Sequence, residues 1–340
     1  MIGLYDDNKS KNILIVQTEF LDVLNDLKSV NISMPRSSNQ YDLDLQTYSS
    51  NGQLTTPIGE VCSIDLNPKL GIATERKILA YDESIVKFSC LEGTAYLTSH
   101  SLVYLGENDY IPTGYLTFYF YTKSKKIVEN SKYLRYSLDP DMDSKKDYIK
   151  DKINFLTNYT PPNSLLLIDG PLIAGDVYTY MINAINKFLE RNILPVFFVK
   201  NSSSNMVVDS INDLSNKYNS DLHWSYKFLK KGQRTNYFKY ADKINPNNAK
   251  VFSYIKGYDM SPQRVEFHID TFKSFRNEID NIHDMIYYML LVQGDKHNPQ
   301  IRPIAIAERF AREFIKLTDI NKYFYDFGLI PTMNQERFGW

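Results

Sequence analysis

Two short apolar runs each lead into an aspartate, GEVCSI into Asp65 and SLLLI into Asp169. A carboxylate at the carboxyl end of a buried strand lies where α/β folds gather their ligands. Desolvating such a charge without a partner is costly, so each acid calls for a cation, a cap or a turn. For Asp169 the Gly-Pro that follows is good turn chemistry, and a capping role competes with a functional one. Two such aspartates on adjacent strands form a hard, oxygen-donor site suited to Mg²⁺ or Mn²⁺. Further acids stand on helical stretches. Asp147 and Asp151 lie one turn apart in DSKKDYIKDKINFLTNY, and Glu308 lies in IRPIAIAERFARE. The lysines around the first pair favour a solvated face, and Arg309 or Arg312 can pair with Glu308 at a rim.

Other chemistries are excluded. Cys62 and Cys90 are the only cysteines and form no CxxC pair, which speaks against a disulfide framework or a thiolate zinc site. The five histidines show no HxxxH spacing, and no GxxxxGK[ST] motif is present, so neither a zincin-type site nor a Walker-type nucleotide site is expected. The start, MIGLYDDNKSKNILIVQ, lacks the pattern of a signal peptide. No stretch approaches the roughly 18 to 20 apolar residues of a membrane span. A cytoplasmic protein is the expectation.

Lys+Arg 39 against Asp+Glu 40 gives a net charge of −1, which rules out binding nucleic acid by bulk charge. Any such contact must be local. The stretch SYKFLKKGQRTNYFKY carries Lys227, Lys230, Lys231, Arg234 and Lys239 with no acid among them. Tyr226, Phe228, Tyr237, Phe238 and Tyr240 interleave with these cations, the combination that a single-strand channel needs. A second cluster, KSKK with Lys132 and Arg135, precedes the Asp151 helix.

Several kinds of element must position these groups. Apolar residues at three- and four-residue steps predict a helix within 11–30, and the polar, turn-rich 31–58 reads as a linker. GEVCSID reads as a short strand. Residues 78–121 read as an antiparallel meander. A helix over 143–159 with Ser144 as its N-cap is expected, then the buried strand SLLLID, a helix over 175–191, the buried strand ILPVFFVK and a helix around 206–218. The hairpin AKVFSYIKGYDMSPQRVEFHID and helices near 272–292 and 303–317 complete an α/β core with a mixed sheet.

Taken in order, these segments resemble the NurA nucleases, an archaeal and bacterial family with an RNase H-like core. SLLLIDGPL looks like the family's second aspartate motif and GEVCSID its first. VFFVKNSSSN is similar to a strand ending in Lys, here Lys200. VFSYIKGYDMSPQRVEFHID is similar to its late hairpin, and RPIAIAERFARE stands where the family has a Tyr-Pro stretch and a helical Ala-His. The likeness is collinear over roughly residues 58–320. Leu66 and Asn67 replace the residues that follow the family's first aspartate. The family's helical Glu maps onto Asp151, with Asp147 one turn earlier as the alternative. Its histidine falls at Glu308 in the frame of Ala307 and Ala311, and its tyrosine has no counterpart, Arg302 standing nearest.

The resemblance implies a metal set of Asp65, Asp151, Asp169 and Glu308, with Lys200 at the scissile phosphate. It implies Mn²⁺- or Mg²⁺-dependent cleavage of DNA through two ions, as a 5′-end exonuclease or single-strand endonuclease in end resection. A homodimer and a HerA-type hexameric ATPase partner are implied with it. The expected organisation is a helix and linker over 1–57, a dimerisation arm, then an RNase H-fold domain over 58–325 and a tail over 326–340. The alternative is a catalytically inactive NurA-like subunit that binds DNA or the ATPase.

Overall fold

The computed structural model describes residues 53–332, apart from 70–74, 107–109, 130–133, 173–177, 243–248, 294–298 and scattered positions between 318 and 331. The helix expected within 11–30 lies outside the described residues. Among them, twelve strands join one mixed sheet: β1 (Gln53–Pro57), β2 (Ser63–Asp65), β3 (Lys77–Cys90), β4 (Gly93–Leu105), β5 (Tyr110–Thr122), β6 (Arg135–Tyr136), β7 (Ser164–Asp169), β8 (Leu194–Val199), β9 (Gln233–Thr235), β10 (Phe238–Asp242), β11 (Ala249–Lys256) and β12 (Gln263–His268). β1 pairs antiparallel with β10, so the end of the expected linker belongs to the sheet. Its two threonines suit a strand, and Pro57 ends it at an edge.

The centre runs β5-β4-β3-β7-β8. Three antiparallel meander strands are followed by two strands parallel to β3, the arrangement of an RNase H-like core. The meander is therefore the heart of the fold. β12, β11 and β10 extend the sheet antiparallel beyond β8.

Strand alternation sorts the side chains onto two faces. Ala80, Val103, Leu165, Leu167, Val196 and Phe198 pack on one face. They meet α5 (Ile269–Ser274), α6 (Arg276–Gln293) and α7 (Arg302–Ile315) through residues such as Phe272, Ile286, Ile304 and Ala307. Leu79, Tyr81, Leu102, Leu166, Ile168 and Phe197 face the opposite way. There they meet α2 (Pro140–Tyr159) and α3 (Tyr178–Glu190) through Ile149, Ile153, Ile185 and Phe188. A short helix, α1 (Lys125–Glu129), precedes β6, and α4 (Asp221–Phe228) lies beside β11.

Two helix boundaries differ from expectation. α2 begins a turn earlier than Ser144, because Asp139 accepts the Met142 N–H at 3.1 Å and Pro140 suits the first helical position. The expected helix at 206–218 is a single 3-10 turn, Val208–Ser210, followed by turns. Its Asp, Ser and Asn residues compete for the backbone, and the buried Asp221 carboxylate takes the Val207 and Val208 N–H groups at 2.9 Å each.

Candidate metal centre

Parity and register bring three strand residues to one place. Ala80 on the α7 face puts Asp82 there, Leu167 does the same for Asp169, and Phe198 for Lys200. The parallel pairing of Tyr81 with Ile168 sets Asp82 level with Asp169 on the adjoining strand. Gly170 has a φ of +96°, the left-handed region that glycine adopts without penalty, and turns the chain away directly after Asp169.

From above, α7 lies across β3, β4 and β5. Its contact stripe uses small residues, since Ala307 and Ala311 are fully buried and let the helix sit close. Gly114 on β5 is needed for the same approach, because a Cβ there would stand 2.5 Å from the Phe314 ring. Glu308, next to Ala307, is thereby delivered to the two aspartates. One carboxylate oxygen each from Asp82, Asp169 and Glu308 lies within 4.8 Å of the others.

Lys200 Nζ stands 2.6 Å from Asp169 Oδ2 and 3.3 Å from Glu308 Oε2. Gln300 Nε2 donates to Glu308 Oε2 at 3.0 Å, and Arg312 pairs with its other oxygen. Burial opposes the charge on Glu308, but Gln300, Lys200 and Arg312 outweigh it and hold the carboxyl below its ordinary range. Burial likewise opposes the Lys200 ammonium, and Asp169, then Glu308, raise its pKa nonetheless. For Asp82 the Lys200 charge is the weakest influence and does not offset the opposing ones. Desolvation, followed by the charges of Asp169 and Glu83, pushes its carboxyl up to about 8. Among the described residues it accepts the Glu83 N–H alone, at 2.8 Å. Opposite it on β4, and on the same face, Ser101 is buried with no partner for its hydroxyl among the described residues, as is Ser99 two residues before.

Hard oxygen donors, a carboxyl pushed up for want of countercharge and orphaned hydroxyls beside it fit a divalent cation. Such an ion would add the countercharge that favours the ionised Asp82 carboxyl.

The structure gathers Asp169, Glu308 and Lys200 from the expected set and leaves out Asp65 and Asp151. Asp65 is exposed at the end of β2, where it accepts from Gln233 Nε2 at 2.7 Å. β2 joins the sheet only through β9. The path from β2 through β9, β11, β12 and β8 to β7 is five strand steps, about 24 Å along the sheet. Asp151 belongs to α2, on the other face, and its Oδ2 accepts from Tyr119 at 2.6 Å. Asp147, its neighbour, accepts from Tyr121 at 2.6 Å and pairs with Arg135. The residue missed was Asp82. Its signal was an acid at inward parity within KILAYDESIVKF.

The basic stretch is divided. Arg234 is buried and paired with Asp280 at 2.6 Å, Tyr237 is buried and donates to the same carboxylate at 2.5 Å, and Phe238 packs edge-on against Trp224. None of the three faces outward for a nucleic acid. Lys230 and Lys231 are exposed, Lys231 over the Tyr258 ring at 5.5 Å, while Lys227 and Lys239 are half-buried.

Fold and site define an RNase H-like α/β protein with a carboxylate cluster at the centre of its sheet. The NurA domain profile matches residues 121–313, more than half of the chain, and the chain belongs to that family. Because the match begins past Asp82, that residue enters the site by geometry alone. Among curated proteins, none matches this sequence. The crystal structure of the NurA nuclease from Sulfolobus solfataricus superposes with a TM-score of 0.53 at 10% identity, covering 91% of this chain and 94% of that one, a likeness of fold. A crystal structure of NurA bound to dAMP and manganese gives a TM-score of 0.38 at 8% identity, over 69% and 84% of the two chains. Endonuclease V from Ciona intestinalis, in complex with an inosine-containing DNA, gives 0.36 at 10% identity over 74% and 96%.

Proposed function

We propose that this protein is a divalent-metal-dependent DNA nuclease whose metal is held by Asp82, Asp169 and Glu308. The observation that carries the reading is the meeting of these three carboxylates, from β3, β7 and α7, within 4.8 Å. A divalent ion there supplies Lewis-acid polarisation of a phosphodiester and an activated water at neutral pH. Asp82 and Asp169 present hard oxygens from rigid strands, and Glu308 closes the set from the helix. Lys200 offers a positive charge at the same strand ends, placed to offset charge that develops on a phosphate. Mn²⁺ and Mg²⁺ both suit the donors, and two ions remain the working stoichiometry.

The sheet also supports a route for the substrate. β7 and β8 end at Asp169 and Lys200, and the antiparallel neighbours β12 and β11 begin and end at that same edge. The Gly232 N–H donates to the Lys256 carbonyl at 2.8 Å, so Lys230 and Lys231 rim the edge at which the acids lie. Phosphate contacts of this kind give little sequence preference. The family resemblance extends the proposal to DNA ends or single strands as substrate, a homodimer, and a HerA-type ATPase as the source of translocation.

Labelled linear duplex and single-stranded DNA, incubated with Mn²⁺ and with EDTA, test the reading. Metal-dependent cleavage lost in Asp169→Ala is the expected result. Binding of DNA or of the ATPase with no cleavage in any metal would replace the enzyme with a binding subunit.

A further inference from the structure

β7 and β8 run into loops directly after Asp169 and Lys200, and one buried carboxylate reaches toward both loops. Glu266 on β12 is fully buried. Its Oε2 accepts the Leu172 N–H at 2.7 Å, three residues beyond Asp169. Its Oε1 accepts from Lys250 Nζ on β11 and from Arg264 Nε, each at 2.7 Å. Arg264 then extends Nη1 to Ser202 Oγ at 2.7 Å and Ser204 Oγ at 2.6 Å, in the loop that leaves Lys200. Ser204 is tied down once more, since its hydroxyl donates to Asp221 Oδ2 at 3.1 Å and its carbonyl accepts the Asp221 N–H at 2.9 Å.

Lys250, Glu266 and Arg264 thus form a buried ion triad. Such triads seldom stabilise a core better than apolar residues of similar volume, because desolvation offsets the attraction. Stability alone is a weak reason for three charges here. Their remaining hydrogen bonds supply a better one: Glu266 directs an acceptor to the loop after Asp169, and Arg264 directs a forked donor to the loop after Lys200. We propose that this triad is a positioning clamp that holds the two loops so that Asp169 keeps its place as a metal ligand and Lys200 its place beside the phosphate. The proposal rests on the nuclease reading above.

The test replaces the whole triad with apolar residues, Lys250→Met, Arg264→Leu and Glu266→Leu together. A thermal midpoint at or above that of wild type is expected. Mn²⁺ affinity by titration calorimetry, and kcat at saturating Mn²⁺, should each fall about 10- to 100-fold, the usual cost of removing groups that orient metal ligands, with KM for DNA unchanged. A folded variant whose Mn²⁺ affinity and kcat match those of wild type would overturn the clamp. Should the triple variant fail to fold, Arg264→Lys keeps the charge beside Glu266 but cannot fork to both serines. It should lose Mn²⁺ affinity and kcat in the same direction by a smaller factor, and no loss would overturn the clamp. Wild-type protein that takes up no Mn²⁺ and cuts no DNA ends the nuclease reading itself, whereas competence retained in both variants ends the clamp alone.

Discussion

Asp82 carries the strongest single-residue consequence. It is the carboxyl for which burial and like charge leave the greatest want of a cation. Asp82→Asn should lower Mn²⁺-dependent DNA cleavage by at least about 100-fold, while Asp65→Asn and Asp151→Asn, outside the cluster, should stay within about twofold of wild type. Equal losses in all three would contradict the geometry. Lys200 makes a second, separable prediction. Its ammonium occupies oxygens of Asp169 and Glu308 that a divalent ion also needs. Lys200→Met should therefore bind Mn²⁺ more tightly by calorimetry and yet cleave about 100-fold more slowly, since it loses a donor for developing charge. Weaker Mn²⁺ binding in that variant would show that Lys200 supports the ion rather than competing with it.

At the scale of elements, α7 decides whether the site closes. The helix rests on Ala307 and Ala311 and on the bare backbone at Gly114, so its height above the sheet is set by the absence of side-chain bulk. Ala307→Leu overpacks this contact and should cost about 1–3 kcal/mol by urea denaturation. Because Glu308 is the next residue, the same change should depress cleavage more than the stability loss accounts for. A variant that is destabilised but fully active would separate α7 packing from the site. Legibility of the sequence differed among the elements for a physical reason. β7 and β8 are buried on both faces and read as unbroken apolar runs, SLLLID and LPVFFV. β3 is long and buried mainly over its first half, so Asp82, its acid in the cluster, sits in a strand whose later residues alternate with solvent. The helix expected at 206–218 was lost to local side-chain hydrogen bonds that periodicity does not weigh.

On the scale of the whole molecule, buried histidines couple folding to pH, His283 and His100 most strongly. Burial, assisted by the Arg234 charge, lowers His283 to about 3, and its Nδ1 can only donate to the Ile279 carbonyl, at 2.8 Å. Burial lowers His100 to about 4. Each takes up its proton more readily unfolded, so its contribution is fully present above about pH 6.5 and is lost as pH falls toward 4. The Asp82 carboxyl, raised in the folded state to about 8, works in the opposite sense throughout that range. Urea unfolding of Asp82→Asn in EDTA removes the opposing group, and its stability should fall steeply between pH 6.5 and 4.5. A flat profile would mean that one or both histidines are already charged in the fold.

The sequence by itself determined the class of fold, the two central parallel strands, the acid and lysine at their ends, and Glu308 on its helix, because each follows from local pattern and order along the chain. It also determined that bulk charge does not hold a nucleic acid, with 39 cations against 40 anions. Only the tertiary structure decided which acids meet. That choice depends on which strand lies beside β7 and on which face each residue points, a long-range pairing and a parity that change together with a one-residue slip. Asp82 entered and Asp65 and Asp151 left on those grounds. Arg234, Tyr237 and Phe238 likewise turned inward because the sheet buried them. The chain's near-neutral charge is therefore an uneven one, with acids gathered at the centre of the sheet and exposed lysines rimming the same edge.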